Sequence, residues 1–442
     1  MTNLSAFPRI LIVGTCTFDG DDATTITLRN MFAGWEKNNI AFLHLTSKTN
    51  IVKSAYLTFN LSKFLFGNFK TENQQTSFLK NVRDSRSLIY GVQGAGKSAS
   101  FKSAVFNFLH TFISAHRALI PYQYPEALDV FIKTFHPDVI YSPLADIRIM
   151  EIVNKISAKY SLPVIPHFMD DWQNTMYAGN LFLTIPRIAL IIGLKKIMKR
   201  AYYGFSISEK MANEYFIKFH KPFYPFMNCV ADSTEVCVPV PEALSDCPDG
   251  QLQFCYSGGL HLNRHKILLA ICEVLQQKCS DHNIKFSFFT KISDWEKYGD
   301  EFRKYDFVRY MGFLKPDELM DQLRKQDFLI HVESFEPKFV KYTRLSISTK
   351  IPEYLSLNKP ILAIGPDNIA SIEYLSSNNC ALVIGKINDE IITSKINILL
   401  SDKIFNDKIG KMAYSLFKKN HEAKQQQILL KEKIMNLVQS SK

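Results

Sequence analysis

Arg9-Ile-Leu-Ile-Val-Gly14 is a short aliphatic run that ends in glycine. Apolar residues at helical spacing follow it between Thr25 and Trp35, and a second aliphatic run occupies residues 40–45. Continuous apolar runs of this length are typical of strands buried on both faces of a sheet, and the segment between them has the period of a helix. This stretch therefore predicts the β-α-β unit from which Rossmann-like domains are built.

The alternation of strands and helices continues in two series. The first series adds predicted strands at 138–141 and 163–166. The second series begins with a predicted strand at 253–256, the turn Ser257-Gly-Gly259 and a helix at 265–278. Each series is long enough to form a parallel sheet covered by helices, so the sequence predicts an α/β protein with two Rossmann-like domains.

The boundary between the two series is predicted at residues 232–250, which lose periodicity and gather prolines and acids as a linker does. The chain has 442 residues, more than one ordinary core accommodates. We therefore predict a first domain at 1–240, a second at 250–415, and a C-terminal helix at 416–442 that packs back on the first domain.

Residues 50–120 are less regular, with a helix predicted at 101–116, and they contain one sharp motif. Gly91-Val-Gln-Gly-Ala-Gly-Lys97-Ser98 satisfies the P-loop pattern, whose backbone N–H groups and lysine hold nucleotide phosphates. Only Leu88-Ile-Tyr90 precedes it as a candidate strand, and no convincing acidic strand for magnesium follows. A glycine- and serine-rich basic loop is the alternative, and the context favours that alternative.

Lysine and arginine outnumber aspartate and glutamate by 53 to 42, which gives a formal charge of +11. This excess suits anionic partners such as phosphates or an acidic membrane surface. No zinc-finger spacing, RNP-like strand or long basic run accompanies it, so nucleic acid is not an expected partner. The eight cysteines form no C-x-x-C pair and no secretory signal is recognisable, so we expect reduced thiols and a cytoplasmic location.

A helix start with useful chemistry lies at Ser346-Ile-Ser-Thr-Lys-Ile-Pro-Glu-Tyr-Leu355. Hydroxyl side chains and Lys350 stand immediately before a helix whose first turn carries Pro352. The N–H groups and positive dipole end of such a helix can hold a diphosphate, and Glu353 can accept hydrogen bonds from ribose hydroxyls. An ordinary capped helix with a surface lysine is the alternative.

Residues 343–363 (Thr-Arg-Leu-Ser-Ile-Ser-Thr-Lys-Ile-Pro-Glu-Tyr-Leu-Ser-Leu-Asn-Lys-Pro-Ile-Leu-Ala) resemble a known stretch, S-K-x-x-E-Y-L-x-x-G-x-P-I-L. It belongs to bacterial glycosyltransferases of the GT-B fold, in the glycogen-synthase-like family four group. Asn358 stands where glycine is common. The resemblance covers most of residues 1–430 apart from 50–120. Three further segments match in order: Ser206-Ile-Ser-Glu-Lys-Met211 with Tyr215, Asn228-Cys-Val230, and Tyr256-Ser-Gly-Gly259 followed by Arg264.

The resemblance implies two Rossmann-like domains facing a cleft, with the nucleotide sugar on the C-terminal domain and the acceptor on the N-terminal one. It implies that Glu353 contacts ribose, and that Lys350 contacts the phosphates together with the hydroxyls of Ser348 and Thr349.

The resemblance also implies that Gly258 and Gly259 let the backbone approach the diphosphate, with Arg264 as a second positive charge. Many family members pair two glutamates as E-x7-E, but Leu345 stands in the place of the first one. We therefore predict that Glu333 contacts the sugar, with Glu336 as the alternative; neither residue matches the family's motif.

Polar residues also follow the predicted strand at 163–166. His167-Phe-Met-Asp170-Asp171-Trp172 begins at its carboxyl end, where sites of α/β proteins gather. The segment resembles an H-x-x-D-x-W segment of the same family, so His167, Asp170 and Asp171 are predicted to orient the donor sugar or an acceptor hydroxyl. A helix-capping acid pair with a packed histidine is the alternative. Asp19-Gly-Asp-Asp22 resembles no specific motif and stays unassigned.

A basic helix is predicted near 188–200, where apolar residues alternate with lysines. It could lie on an anionic membrane that carries a lipid-linked acceptor, which would make the protein a peripheral membrane protein at the inner face. The alternative is an ordinary amphipathic helix of the domain. Because 181–197 is interrupted by proline and charges, a transmembrane helix is not expected.

The leading interpretation is a hexosyltransferase that moves sugar from a nucleotide-diphosphate sugar to a carbohydrate or lipid-linked acceptor during surface polysaccharide biosynthesis. No acidic triplet with divalent-ion spacing stands out, so transfer without metal or cofactor is expected, and the resemblance implies retention of configuration. One alternative is a GT-B-like sugar-nucleotide epimerase, which would add acid/base carboxylates to the same nucleotide clamp. A P-loop nucleotide-binding protein acting through residues 91–98 is less favoured.

Overall fold

A computed structural model describes residues 7–20, 22–45, 55–61, 101–120, 124–230 and 250–441, with the backbone alone described over 101–107. The P-loop-like motif, Asp21 and nearly all of the predicted linker lie outside these residues. The chain divides into two compact units. The first unit comprises Met1–Asn228 and Lys424–Lys442, and the second comprises Cys229–Ala423.

The first unit is built on a parallel sheet. Its described strands follow the order β3-β2-β1-β4-β5-β6-β7. Its elements are β1 (Ile10–Gly14), α1 (Ala23–Phe32), β2 (Ile40–His44), β3 (Leu57–Asn60), α2 (Phe101–Arg117), α3 (Glu126–Phe135), β4 (Val139–Ser142), α4 (Ile147–Tyr160), β5 (Val164–Phe168), α5 (Trp172–Thr175), α6 (Thr184–Arg200), β6 (Gly204–Ser206), α7 (Glu209–Phe219) and β7 (Phe223–Pro225).

The second unit is built on another parallel sheet. Its described strands follow the order β10-β9-β8-β11-β12-β13. Its elements are β8 (Leu252–Ser257), α8 (Arg264–Lys278), β9 (Ile284–Phe289), α9 (Ile292–Tyr298), β10 (Val308–Tyr310), α10 (Pro316–Arg324), β11 (Phe328–Val332), α11 (Pro337–Thr343), α12 (Lys350–Leu355), β12 (Ile361–Ile364), α13 (Ala370–Ser377), β13 (Leu382–Ile384), α14 (Asp389–Ser401) and α15 (Lys403–Asn420).

The central strands are buried along their whole length, as β1 and β11 show. This burial explains why their sequences are continuous apolar runs without alternation. Helix starts follow the expected chemistry: Ser208 accepts a hydrogen bond from the backbone of Met211 at 3.0 Å, which confirms it as the N-cap of α7. The two predicted series of strands and helices are thus confirmed in their type and order.

Each sheet has a point at which the strand order reverses. In the first sheet β1 lies between β2 and β4, and in the second sheet β8 lies between β9 and β11. The loops that leave neighbouring strands at such a point diverge to opposite faces and open a crevice at the carboxyl edge of the sheet, where ligands bind. In the second sheet, this edge carries the glycine turn after β8 and Glu333 after β11.

The C-terminal region consists of two helices with a break between them. Helix α15 ends at Asn420 in the second unit, and α16 (Ala423–Ser441) runs almost entirely in the first. At the break the chain pairs with Val230, whose N–H donates to His421 and whose carbonyl accepts from Ala423. The chain therefore connects the units at two places, after Asn228 and after Ala423. The segments next to these two connections, Val230 and residues 421–423, are hydrogen-bonded to each other.

In the described part of the chain, no helix is both long and apolar enough to cross a membrane.

Candidate donor site

The turn after β8 is the first component of the site. A Cβ on Gly258 would lie 2.9 Å from the hydroxyl of Tyr256, and one on Gly259 would lie 2.2 Å from the ring of His261. A side chain at either position would therefore displace the neighbouring Tyr256 or His261 side chain. The Tyr256 hydroxyl donates to the Gly259 carbonyl at 2.7 Å, which fixes the turn.

The same turn is attached to helix α12. The backbone N–H of Ser257 donates to the hydroxyl of Tyr354 at 2.9 Å, and both residues are buried. Tyr354 directly follows Glu353 in the E-Y-L part of the motif. This hydrogen bond places the helix with Lys350 and Glu353 beside the glycine turn of β8, although 97 residues separate the two bonded residues.

Lys350 and Glu353 form an ion pair with each other. The Lys350 ammonium lies 3.2 and 3.0 Å from the two carboxylate oxygens of Glu353, which is itself buried. Ser348 accepts a hydrogen bond from the backbone N–H of Lys350 at 3.3 Å, and Thr349 stands at the helix start. The lysine is therefore held by its neighbouring acid, one turn along the helix.

Arg264 and Glu333 form a second ion pair. Arg264 begins α8 and Glu333 follows β11, and the guanidinium Nη2 lies 2.8 Å from the carboxylate Oε2. The two side chains are 17% and 4% exposed. Burial alone would lower the pKa of Arg264, but the carboxylate of Glu333 outweighs it and the pKa lies above its ordinary value.

The surroundings of Glu333 hold its position. A Cβ on Gly365, at the end of β12, would lie 2.8 Å from the Cβ of Glu333, so the two backbones pack closely. His331 Nε2 lies 3.6 Å from Glu333 Oε1. Burial lowers the pKa of His331 to about 4, so the ring is neutral near pH 7 and Arg264 is the group that neutralises Glu333.

Glu336, the alternative sugar-contacting acid, has another arrangement. It accepts a hydrogen bond from the side chain of Asn263 and pairs with Lys338 at 3.2 Å and with Lys266 at 3.6 Å. These contacts connect the start of α11 to the start of α8. Of the two carboxylates, Glu333 forms an ion pair with Arg264, at 2.8 Å, and it is the more buried.

His261 and Asp294 form a pair that the sequence did not reveal. Asp294 accepts from the backbone N–H of Leu260 at 2.7 Å and lies 3.2 Å from His261 Nδ1. Burial alone would raise the pKa of Asp294, but hydrogen bonds from His261 and the backbone outweigh it and the pKa lies below its ordinary value. The His261 side chain is 39% exposed beside the glycine turn, with Nε2 as the remaining ring nitrogen.

In the first unit, the segment after β5 is held by buried polar contacts. His167 is fully buried and its Nδ1 hydrogen-bonds to the Tyr141 hydroxyl, and burial lowers its pKa to about 3. Asp171 is also buried and accepts from the Tyr215 hydroxyl at 2.8 Å. Asp170 is the exposed member of the three predicted catalytic residues. Solvent therefore reaches Asp170, whereas His167 and Asp171 make buried hydrogen bonds.

Tyr215 belongs to the S-E-x-M-x-x-x-Y segment, so its bond to Asp171 brings together two motifs that the sequence shows 44 residues apart. The previously unassigned Asp22 caps α1 by accepting from the backbone N–H of Thr25 at 3.0 Å. Asp19 is exposed in the same loop. Across the described residues, no group of three or more His, Cys, Asp or Glu side chains is arranged to hold a metal ion.

The sequence matches no protein-family model and no curated protein. Several solved structures are similar in fold. HepE from Anabaena, in complex with UDP and glucose, is 11% identical over 97% of this chain and 99% of that chain, with a TM-score of 0.58. The α,α-trehalose 6-phosphate synthase from Burkholderia multivorans is 8% identical over 98% and 100% of the two chains, with a TM-score of 0.61.

The sucrose-phosphate synthase from Thermosynechococcus elongatus is also similar. It is 9% identical over 98% of this chain and 100% of that chain, with a TM-score of 0.58. At these identities the likeness establishes the fold, and it confirms the predicted fold class of two Rossmann-like domains of the GT-B type.

Proposed function

We propose that this protein is a glycosyltransferase that moves a hexose from a nucleotide-diphosphate sugar to a carbohydrate or lipid-linked acceptor in surface polysaccharide biosynthesis. The observation that carries the proposal is the meeting of the glycine turn, the Arg264–Glu333 pair and the Lys350–Glu353 pair around the carboxyl edge of the second sheet. A structure of the same fold, HepE, was solved with UDP and glucose, which supports a nucleotide sugar as the ligand.

In this proposal Glu353 binds the ribose hydroxyls. Lys350, Ser348 and Thr349 bind the diphosphate, and Gly258 and Gly259 let backbone N–H groups approach it. The Lys350–Glu353 contact keeps the ammonium in place before the donor arrives. Less side-chain entropy is then lost on binding than with a freely rotating lysine.

Arg264 supplies the second positive charge for the diphosphate, and Glu333 accepts hydrogen bonds from the donor sugar. Since one carboxylate oxygen of Glu333 holds Arg264, the pair connects sugar recognition with phosphate recognition. We add His261 to the donor residues: Asp294 orients the ring through Nδ1, and in its imidazolium form the ring would donate from Nε2 to a phosphate oxygen.

The reaction forms a bond between an acceptor hydroxyl oxygen and the anomeric carbon, and breaks the bond from that carbon to the diphosphate oxygen. Lys350, Arg264 and backbone N–H groups stabilise the negative charge of the departing diphosphate, and the acceptor proton leaves with it or passes to a carboxylate. We propose retention of configuration and transfer without metal ion or further cofactor. Asp170 is proposed to contact an acceptor or donor hydroxyl, with His167 and Asp171 as positioning residues.

We further propose a cytoplasmic site of action at the inner face of the membrane.

The proposal is tested by thermal shift against a panel of nucleotide sugars. A donor that stabilises the wild type should lose most of its effect in Glu353→Ala. Asp321→Ala is the matched control, because Asp321 also belongs to an i,i+3 ion pair with a basic residue, on α10. A stabilising donor that acts equally on the wild type and on Glu353→Ala would show that the donor binds elsewhere.

Product analysis then separates transfer from the epimerase alternative. A transferase leaves the sugar configuration of the donor unchanged when acceptor is absent, whereas an epimerase equilibrates it. The P-loop alternative predicts loss of nucleotide binding in Lys97→Ala and none in Glu353→Ala.

A further inference from the structure

A contiguous apolar surface lies on the first unit, on helix α6 and the residues just before it. Leu181, Phe182, Ile185, Ile188 and Ile192 are between 48% and 91% exposed. Positions 185, 188 and 192 are three and four residues apart and therefore share one face of the helix. Single exposed apolar side chains are ordinary, but five of them in one stretch indicate a binding surface.

The protein core does not need this face. The opposite face of α6 buries Leu190, Leu194 and Ile197 and packs on α4. Gly193 lies at the crossing, where a Cβ would come within 3.5 Å of Met150. Helix α6 is therefore held on the domain by one apolar face, while a second apolar face points outward.

The outward face changes character along the helix. After Ile192, the same spacing continues with the exposed residues Lys195, Lys196, Lys199 and Arg200, and α6 contains no Asp or Glu. The first half of the face is thus apolar and the last half is cationic.

Helix α2 extends this surface. Phe108, Leu109 and Ile113 are between 39% and 50% exposed, and the Phe108 ring lies edge-on to that of Phe182 with centroids 5.5 Å apart. Helix α2 also contains no Asp or Glu. A groove of about 810 Å³ runs between α6, α4 and the residues just after α2; Lys196, Lys199 and Arg200 line it, and the one acid among its described lining residues, Glu151, pairs with Lys155 at 2.6 Å.

We propose that the surface formed by α2, residues 181–182 and α6, the α2–α6 face, docks on an anionic lipid bilayer. The isoleucines and Phe182 enter the boundary between headgroups and acyl chains, and the lysines of the last two turns contact lipid phosphates. A helix with one apolar and one cationic region and no acid is complementary to such a bilayer in both respects. The proposal rests on none of the donor-site residues.

The test is flotation of the whole protein with vesicles of phosphatidylcholine alone and of phosphatidylcholine mixed with phosphatidylglycerol. Wild type should float with the mixed vesicles only. The variant K195E/K196E/K199E should bind more than about 100-fold more weakly, since each lysine near an anionic surface contributes about fivefold and reversal adds repulsion. K403E/K408E/K411E is the matched control, because it reverses three exposed lysines of α15 in the second unit and should bind as wild type does.

Insertion of the apolar half is tested separately. Ile185→Ser with Ile188→Ser should weaken flotation at least tenfold, and Phe182→Trp should add tryptophan emission that brominated lipids quench. Melting temperatures near that of wild type show that these variants fold, and an unchanged thermal shift with nucleotide sugar separates this surface from the donor site.

Three results would overturn the proposal. Wild type could fail to distinguish the two vesicles, or the α6 and α15 charge variants could behave alike. Sedimentation velocity could instead show a dimer that Ile185→Ser with Ile188→Ser dissociates while no vesicle is bound, in which case the α2–α6 face is a protein interface.

Discussion

Replacement of Arg264 by methionine should destabilise the second unit because it removes the only cation that directly pairs with Glu333 among the described residues. The Glu333 side chain is 4% exposed, and neutral His331 cannot replace the lost charge near pH 7. Leaving one member of a buried ion pair without its partner costs about 3–5 kcal/mol. Because the Arg264 side chain is 17% exposed and water can partly replace it, we expect the lower end, about 3 kcal/mol.

This value converts into a measurable change. The second unit runs from residue 229 to 423, which is 195 residues. In a domain of that size each kcal/mol lowers Tm by about 2–4 °C, so the loss should be roughly 6–12 °C in the calorimetric transition of the second unit. Glu333→Gln keeps an acceptor and removes the charge, so it should cost about 1–2 kcal/mol.

A double-mutant cycle gives the decisive result. Arg264→Met with Glu333→Gln should recover part of the loss, with a coupling energy of about 1–3 kcal/mol. Arg324→Met is the control, since Arg324 pairs with an exposed acid and should cost less than about 1 kcal/mol. A coupling energy below about 0.5 kcal/mol would refute the reasoning that these two charges hold each other.

Three further predictions concern the donor site and the first unit. Lys350→Ala and Glu353→Gln should each weaken nucleotide-sugar binding about 10- to 100-fold, because each variant loses charge-assisted hydrogen bonds. Titration calorimetry measures the affinities, and equal affinity in both variants and wild type would contradict this prediction. Gly259→Ala should displace His261, and its effect on donor affinity should not add to that of His261→Ala; additive effects would mean that the ring is not disturbed. The free energy of unfolding of the first unit should fall as pH drops from about 6.5 towards 3. The pKa of His167 is about 6.5 in the unfolded chain and about 3 in the folded one, so the unfolded state binds the proton first as pH falls. Denaturant titrations of wild type and His167→Phe at several pH values check this, and an equal pH slope in the two proteins would rule His167 out as the source.

Much of the fold could be predicted because its signals are local. Buried parallel strands are continuous apolar runs, and helix starts such as the one at Ser208 carry their own capping residue. The edge strand β3 had no such signal, since its four residues are only partly buried. The break at residues 421–422 was also not predictable, because no glycine or proline marks it and it depends on pairing with Val230.

The residues of the candidate site could be proposed from the sequence, but the contacts among them could not. A lysine with hydroxyls at a helix start indicated Lys350, and Glu333 was chosen because Leu345 stands in the place of the expected glutamate. The Arg264–Glu333 pair joins residues 69 positions apart, and the hydrogen bond from Leu260 to Asp294 spans 34 positions. No spacing rule relates such residues, because the sheet topology decides which strand ends become neighbours.

The pairing of Val230 with residues 421–423, where the chain connects the two units, has a consequence for protein engineering. The second unit is continuous in sequence and its two ends are hydrogen-bonded to each other, whereas the first unit is completed only by the last 19 residues, Lys424–Lys442. In topological terms the second unit is an insertion into the first. Residues 229–423 are thus the natural fragment for expression of the second unit by itself, and a truncation that removes α16 should damage the first unit.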